Sequence, residues 1–349
     1  MPKAGKGDGR MRRWTQRWVW LMAIAIGALL LLGGCGSKSA DKVVADLTKQ
    51  AEKMKSYQAS GVMTLYTSEQ PRVYEVEVAY KAPHYYRVSL SNQEQNVSQI
   101  ILRNDDGVFV LTPSVNRSFR FRSDWPHSNP QPYLYETLVQ DIVKDKERRF
   151  EKQEQGYMFE TKTNYQNRTL ASQRIWLKAK NFTPLKVEAL DTNGNVLVEM
   201  KFAKFEANAA VNDETFQLDQ NMSRSMNEEA VPTAADDARS FGIILPRYLP
   251  EGVELLEEAE VMQDDGPVVI LKFGGTYEFT LLEQRPAAAT VHLPYGEPVD
   301  LGHSIGVFMG GERQTLHWTY GGVEYQLTGN LPLEEMILVA QSVADSSGK

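Results

Sequence analysis

The chain has 349 residues, 42% hydrophobic, 10% aromatic and 24% charged, enough for two domains and too apolar to be disordered along most of its length. A single cysteine excludes a disulfide framework and a zinc site built on several thiolates, and five scattered histidines form no HExxH or HxxH pair. The net charge of −7 argues against a partner made of nucleic acid phosphates.

The opening residues carry export signals in order. Lys3, Lys6, Arg10, Arg12, Arg13 and Arg17 form a basic leader, and Trp18–Leu32 follows as an uncharged run of 15 residues. A membrane-spanning helix takes about 20 residues, so the run reads as a signal peptide, residues 1–34. Trp14, Thr15 and Gln16 after Arg12-Arg13 make a poor twin-arginine signal, which favours the general secretory route. Leu32-Gly33-Gly34-Cys35 resembles a bacterial lipobox, in which the cysteine thiol accepts a diacylglyceryl group. Cys35 is thus the expected lipid attachment site, and two or more acyl chains hold a protein stably on a bilayer. Cleavage before Cys35 removes six basic residues and one acidic residue, leaving a net charge of −12 that anionic headgroups repel. The expected location is the extracytoplasmic face of the cell membrane, with the body standing off from it.

After a spacer over residues 35–40, Asp41–Lys55 spaces Val43, Val44, Leu47, Ala51 and Met54 as an amphipathic helix, with Asp41 as its cap. From Tyr57 the period changes to two, and turn signals at Lys81-Ala82-Pro83, Asn104–Gly107, Thr112-Pro113-Ser114 and Asn193-Gly194 predict a meander of antiparallel hairpins. Gln131–Lys146 predicts a second helix, with Tyr135, Leu138, Val139, Ile142 and Val143 on one face. Residues 221–240 contain no aromatic residue and no sustained period, and read as a linker between a domain over 41–220 and one over 241–345. The second returns to short strands broken by Gly-Gly pairs and closes with a helix over Leu331–Val343, capped by Asn330. The class is mainly β (α+β), with two β-rich modules in series.

Tyr80–Val88, Asn116–Phe121, Ser123–Pro126 and Phe216–Asp219 resemble stretches of the LolA-like lipoproteins of spore-forming Gram-positive bacteria, of the YdcC and GerS type, while Leu245–Gly252 and Trp318–Tyr325 resemble a module recurring in Gram-positive lipoproteins and membrane-linked regulators. The resemblance implies a curved antiparallel half-barrel sheet with plugging helices, enclosing an apolar cavity that holds acyl chains in the soluble carriers. It implies no cofactor. A carrier tethered by its own lipid cannot shuttle, which favours a sporulation or germination factor that binds an envelope protein such as a cell-wall-modifying enzyme. A lipid or acyl-chain carrier is the alternative.

Along Arg117–Arg122 the alternation sends Phe119 and Phe121 to one face and Arg120 and Arg122 to the other. Phe119, Phe121 and Trp125 suit a core or a cavity wall; Arg120 and Arg122 suit a phosphate headgroup, an acidic partner or simple solvation. His84 reads as a hydrogen-bonded turn residue. Gly302-His303-Ser304-Ile305-Gly306 matches the G-x-S-x-G nucleophile elbow, with Glu312 and His317 downstream in the order of a serine hydrolase. That elbow needs a strand before it and a helix after it, whereas Val307–Tyr320 predicts two strands, so no catalytic residue is assigned and Ser304 is read as a turn residue.

Overall fold

The computed structural model describes residues 39–66, 71–92, 97–127, 131–163, 170–228, 243–263, 266–285 and 288–346. The lipobox residues Leu32, Gly33, Gly34 and Cys35 lie outside them. The opening helix α1 (Ala40–Lys53) begins on Ser39, whose Oγ accepts from Lys42 N at 3.4 Å; Asp41, the expected cap, sits in the first turn instead.

Strands β1 (Ser56–Leu65), β2 (Arg72–Lys81), β3 (Tyr85–Asn92), β4 (Val97–Asn104), β5 (Gly107–Thr112) and β6 (Arg117–Phe121) form one antiparallel meander. Helix α2 (Tyr135–Lys144) follows, then β7 (Arg149–Lys152), β8 (Gly156–Lys162), β9 (Ser172–Lys178), β10 (Pro184–Leu190) and β11 (Val196–Ala207), the last pairing back onto β1. The sheet is open, with β7 at one end. At Gly61 a bulge brings the Lys201 carbonyl to 2.1 Å from where a β-carbon would stand, so only glycine fits.

Alternation gives this sheet two apolar faces. The inner face carries Tyr57, Tyr80, Tyr86 and Phe121 and receives α2. Tyr57 donates to Glu136 Oε2 at 3.0 Å, and Tyr135 and Phe205 complete the ring contacts. The outer face carries Ala79, Ile100, Leu102, Phe109 and Leu111, covered by Phe216 from the turn Asp213–Phe216 and by helix α3 (Leu218–Glu228). That helix occupies the first eight residues of the segment expected to be linker. Its anchor is the buried Asn221, whose amide donates to the Thr215 and Gln217 carbonyls and whose Oδ1 accepts from Arg87 at 2.6 Å.

The second sheet holds β12 (Val253–Gln263), β13 (Gly266–Gly275), β14 (Phe279–Gln284), β16 (Glu297–Asp300), β17 (Ile305–Met309), β18 (Gln314–Tyr320) and β19 (Val323–Gly329), in the order β12-β13-β14-β19-β18-β17-β16. Helix α4 (Leu333–Ser346) packs Met336, Val339 and Val343 into its core beside Leu281, Trp318 and Leu327. Asn330 does not cap that helix; its Oδ1 accepts from Glu278 N at 2.8 Å. One strand of this half, β15 (Ala289–His292), leaves its own sheet and pairs in parallel with β6. The two modules are therefore joined by a shared strand as well as by the chain.

Candidate functional site

The pairing register predicts what the inner face presents near its β6 edge. Leu90 stands opposite Gln99 and Thr112 opposite Arg117, so a polar row interrupts an otherwise apolar surface. Gln99 Nε2 donates to Thr112 Oγ1 at 3.1 Å, which fixes the amide orientation. The C-terminal module is seated on this row. Gln99 Oε1 accepts from Ile305 N at 2.5 Å, and the Tyr74 hydroxyl donates to the Gly302 carbonyl. Arg117 Nη2 reaches both carboxylate oxygens of Glu324, at 2.8 and 2.7 Å, with side chains only 8% and 6% exposed. Between Met63, Tyr74, Leu90 and the segment Asp300–Ile305 a void of about 10 Å³ is left, too small for an acyl chain.

Burial sets the electrostatics of the seat. His303 packs edge-on to Tyr320 at 4.5 Å, and desolvation, helped by Arg72, pulls its pKa down to about 3. His317 lies 5.8 Å from the Phe119 ring, and burial followed by Arg117 lowers its pKa to about 4. Both imidazoles stay neutral at physiological pH. Asp300 is raised by desolvation while its Oδ1 accepts from Gly302 N at 2.7 Å, a bond that shapes the turn. The buried positive charge of Arg117 is thus answered by Glu324.

The aromatic residues singled out in the sequence all lie in packed surroundings. Phe119 is buried against His317, Phe121 lies beneath Gly296, and Trp125 meets Tyr86 edge-on at 5.6 Å while its carbonyl accepts from Arg103. Arg120 stands on the opposite face, where its guanidinium donates to the Asp106 carbonyl at 2.6 and 3.0 Å and lies over Phe109. Arg122 is exposed and lines a surface groove with Asp124, Tyr295 and Phe308. His84 and Tyr85 both hold Asp105, at 3.0 and 2.6 Å. Sequence reading missed Gln99, Arg117 and Glu324. One signal was available, parity: Arg117 shares the face of Phe119 and Phe121, so its charge needed a buried partner, although parity does not say which.

Ser304 of the G-x-S-x-G segment is buried between Leu301 and β17, and its Oγ donates to the Thr319 carbonyl at 2.8 Å. The segment after it is strand β17, not a helix. Ser304→Ala is expected to cost about 1 kcal/mol for the lost hydrogen bond. Chemical denaturation and an esterase assay check it, and loss of esterase activity with normal stability would point to a nucleophile. Among the described residues no group of three His, Cys, Asp or Glu side chains is placed to hold a metal, and no helix is long and apolar enough to cross a membrane.

The family model described as "Sporulation protein YdcC-like" matches residues 15–216, and a second, described as a domain of unknown function (DUF4367), matches residues 243–343. "Sporulation protein YdcC" of Bacillus subtilis (strain 168) is 42% identical over 335 residues, covering 94% of this chain and 97% of that protein. Among solved structures, the Pseudomonas aeruginosa MucA/MucB complex contains a chain similar at TM-score 0.32 and 16% identity, covering 86% of this chain and 97% of that one. The complex of the CwlD amidase from Clostridioides difficile with the GerS lipoprotein contains another, at TM-score 0.30 and 18% identity, covering 49% and 97%. The LolA superfamily protein NE2245 from Nitrosomonas europaea is similar at TM-score 0.29 and 15% identity, covering 50% and 98%.

Proposed function

Because the chain belongs to the sporulation protein YdcC-like family, we propose that it is a non-catalytic lipoprotein of the cell envelope that acts in sporulation or germination by binding a protein partner. Its anchor in this reading is a diacylglyceryl group on Cys35, which holds it at the extracytoplasmic face of the membrane. A cell-wall-modifying enzyme is the partner class that the resemblance to GerS-type lipoproteins implies.

The observation that carries the choice of partner binding over acyl-chain transport is the seating of the C-terminal module. Tyr74, Gln99 and Arg117 of the inner face bond Gly302, Ile305 and Glu324. Opening that face to a lipid would strand an arginine and a glutamate without partners in an apolar place, a cost of several kcal/mol that an acyl chain has no polar group to offset. A tethered protein also gains nothing from carrying cargo between membranes.

The test combines anchor and cargo. Cys35→Ala is expected to give precursor or released protein in place of an acylated, membrane-bound mature form, read by fractionation and by mass spectrometry of the N-terminal peptide. Equal membrane retention without acylation would mean that the leader itself is the anchor. Native mass spectrometry of the detergent-extracted protein is expected to show the protein without a stoichiometric internal lipid; finding one would restore the carrier reading.

A further inference from the structure

Among the described residues the second sheet leaves one long edge open, and the charged side chains on it are of one sign. β12 runs for 11 residues, VELLEEAEVMQ, and among the described residues its only strand neighbour is β13. Past Val253 every residue is exposed except Ala259, which is half-buried. Edge strands present a row of backbone N–H and C=O groups to any chain that can extend beside them, and natural proteins blunt such edges with charged side chains, above all lysine, with proline or with bulges. β12 has no lysine and no proline; its charges are all acidic. Its one interruption is a bulge at Leu256, after which Glu257–Gln263 continues in unbroken register with Lys272–Gly266.

Four glutamates lie on this edge: Glu254, Glu257, Glu258 and Glu260. Glu257 is answered across the strand by Lys272 at 2.7 Å, while the other three have no cationic partner among the described residues. Beside them stand exposed apolar side chains, Leu256 at 65% between the first two and Val261 at 43% and Met262 at 73% after the last. This composition selects the occupant. A second copy pairing edge to edge would set glutamate against glutamate, which destabilises a ladder, and an anionic membrane surface would repel the edge. A segment alternating lysine or arginine with apolar residues satisfies both the charges and the exposed apolar groups while its backbone extends the ladder.

We propose that β12 is a docking edge at which an extended basic segment of a partner protein adds to the sheet as an eighth strand. This deepens the partner-binding reading and rests on it.

The experiment uses the full chain in detergent with two fluorescent peptides, KVKVKVK and EVEVEVE, followed by anisotropy and by backbone amide exchange. Two variants of equal net charge are compared: Glu254→Lys/Glu258→Lys/Glu260→Lys on the edge, and Glu151→Lys/Glu154→Lys/Glu206→Lys elsewhere. The basic peptide is expected to bind about tenfold or more tighter than the acidic one, to lose about tenfold in the edge variant and under twofold in the control, and to slow amide exchange over 257–263. Equal losses in the two variants, or slowed exchange elsewhere, would overturn the proposal, since net charge or another surface would then be the cause. Thermal melts of both variants check that each is folded before the comparison is read. An identical set of co-purifying proteins from sporulating cells for wild type and edge variant would overturn the docking edge while leaving the partner-binding reading intact.

Discussion

Arg117→Ala and Glu324→Ala are each expected to lose about 3–5 kcal/mol of unfolding free energy, because either change leaves an unanswered charge at a buried interface. The geometry makes the expectation large: one guanidinium nitrogen reaches both carboxylate oxygens within 2.8 Å, and neither side chain is more than 8% exposed. Solvated pairs such as Lys162–Glu147, over 70% exposed on both sides, belong to another class and contribute little. The double variant Arg117→Met/Glu324→Leu is expected to recover most of the loss, since two apolar groups of similar size need no partners. Urea denaturation of the two single variants and the double variant measures each loss and the recovery. If each single loss were below about 1 kcal/mol, water would be reaching the pair and the seating of the two modules would rest on packing alone.

That pair also marks where the sequence stopped being legible. Period-two alternation and turn residues were enough to predict the meander, because Asn104–Gly107 and Asn193-Gly194 force reversals between runs of alternating burial. The helix containing Leu138 and Ile142 was visible for the same local reason. What was not local was not visible. Nothing within a few residues of Arg117 says that Glu324, 207 positions later, will stand beside it. Likewise, the parallel pairing of β15 with β6 depends on where the second module comes to rest. The glycine-serine segment shows the opposite error, a catalytic pattern produced by packing: Gly302 turns at φ 76°, Ser304 ties down the Thr319 carbonyl, and Gly306 lies close against Leu316. At α3 the polar sequence suggested a linker, but one buried asparagine bonding three partners was enough to hold a helix on the outer face.

The second large effect is on pH dependence, and it comes from Glu283. This residue sits on β14 between Val269 and Tyr325, fully buried, with Oε2 accepting from Ile244 N at 3.1 Å and Oε1 without a partner among the described residues. Desolvation, with a smaller push from Glu258, raises its pKa to about 7. In the unfolded chain the same carboxyl titrates near 4.5. Between these values the folded state holds a proton that the unfolded state has released, so stability falls as pH rises through the window from about 4.5 to about 7 and is constant in this contribution on either side. A shift of this size corresponds to about 3 kcal/mol lost by pH 8. Glu136, raised to about 7, and Asp141, raised to about 6, act in the same direction by burial, while His303 and His317, lowered to about 3 and about 4, take stability away as pH falls below about 6.5, so the wild-type maximum lies between these opposed slopes, on the acid side of neutrality. Glu283→Gln keeps the acceptor for Ile244 N and removes the ionisation. It is expected to match wild type within about 1 kcal/mol at pH 5 and to exceed it by about 2–3 kcal/mol at pH 8, with part of the slope remaining from the other two carboxyls. Urea midpoints measured from pH 4.5 to pH 8.5 decide it. Parallel curves for the two proteins would mean that the Glu283 carboxylate is solvated when it ionises, and that the closed core between β14, β19 and α4 opens to water there.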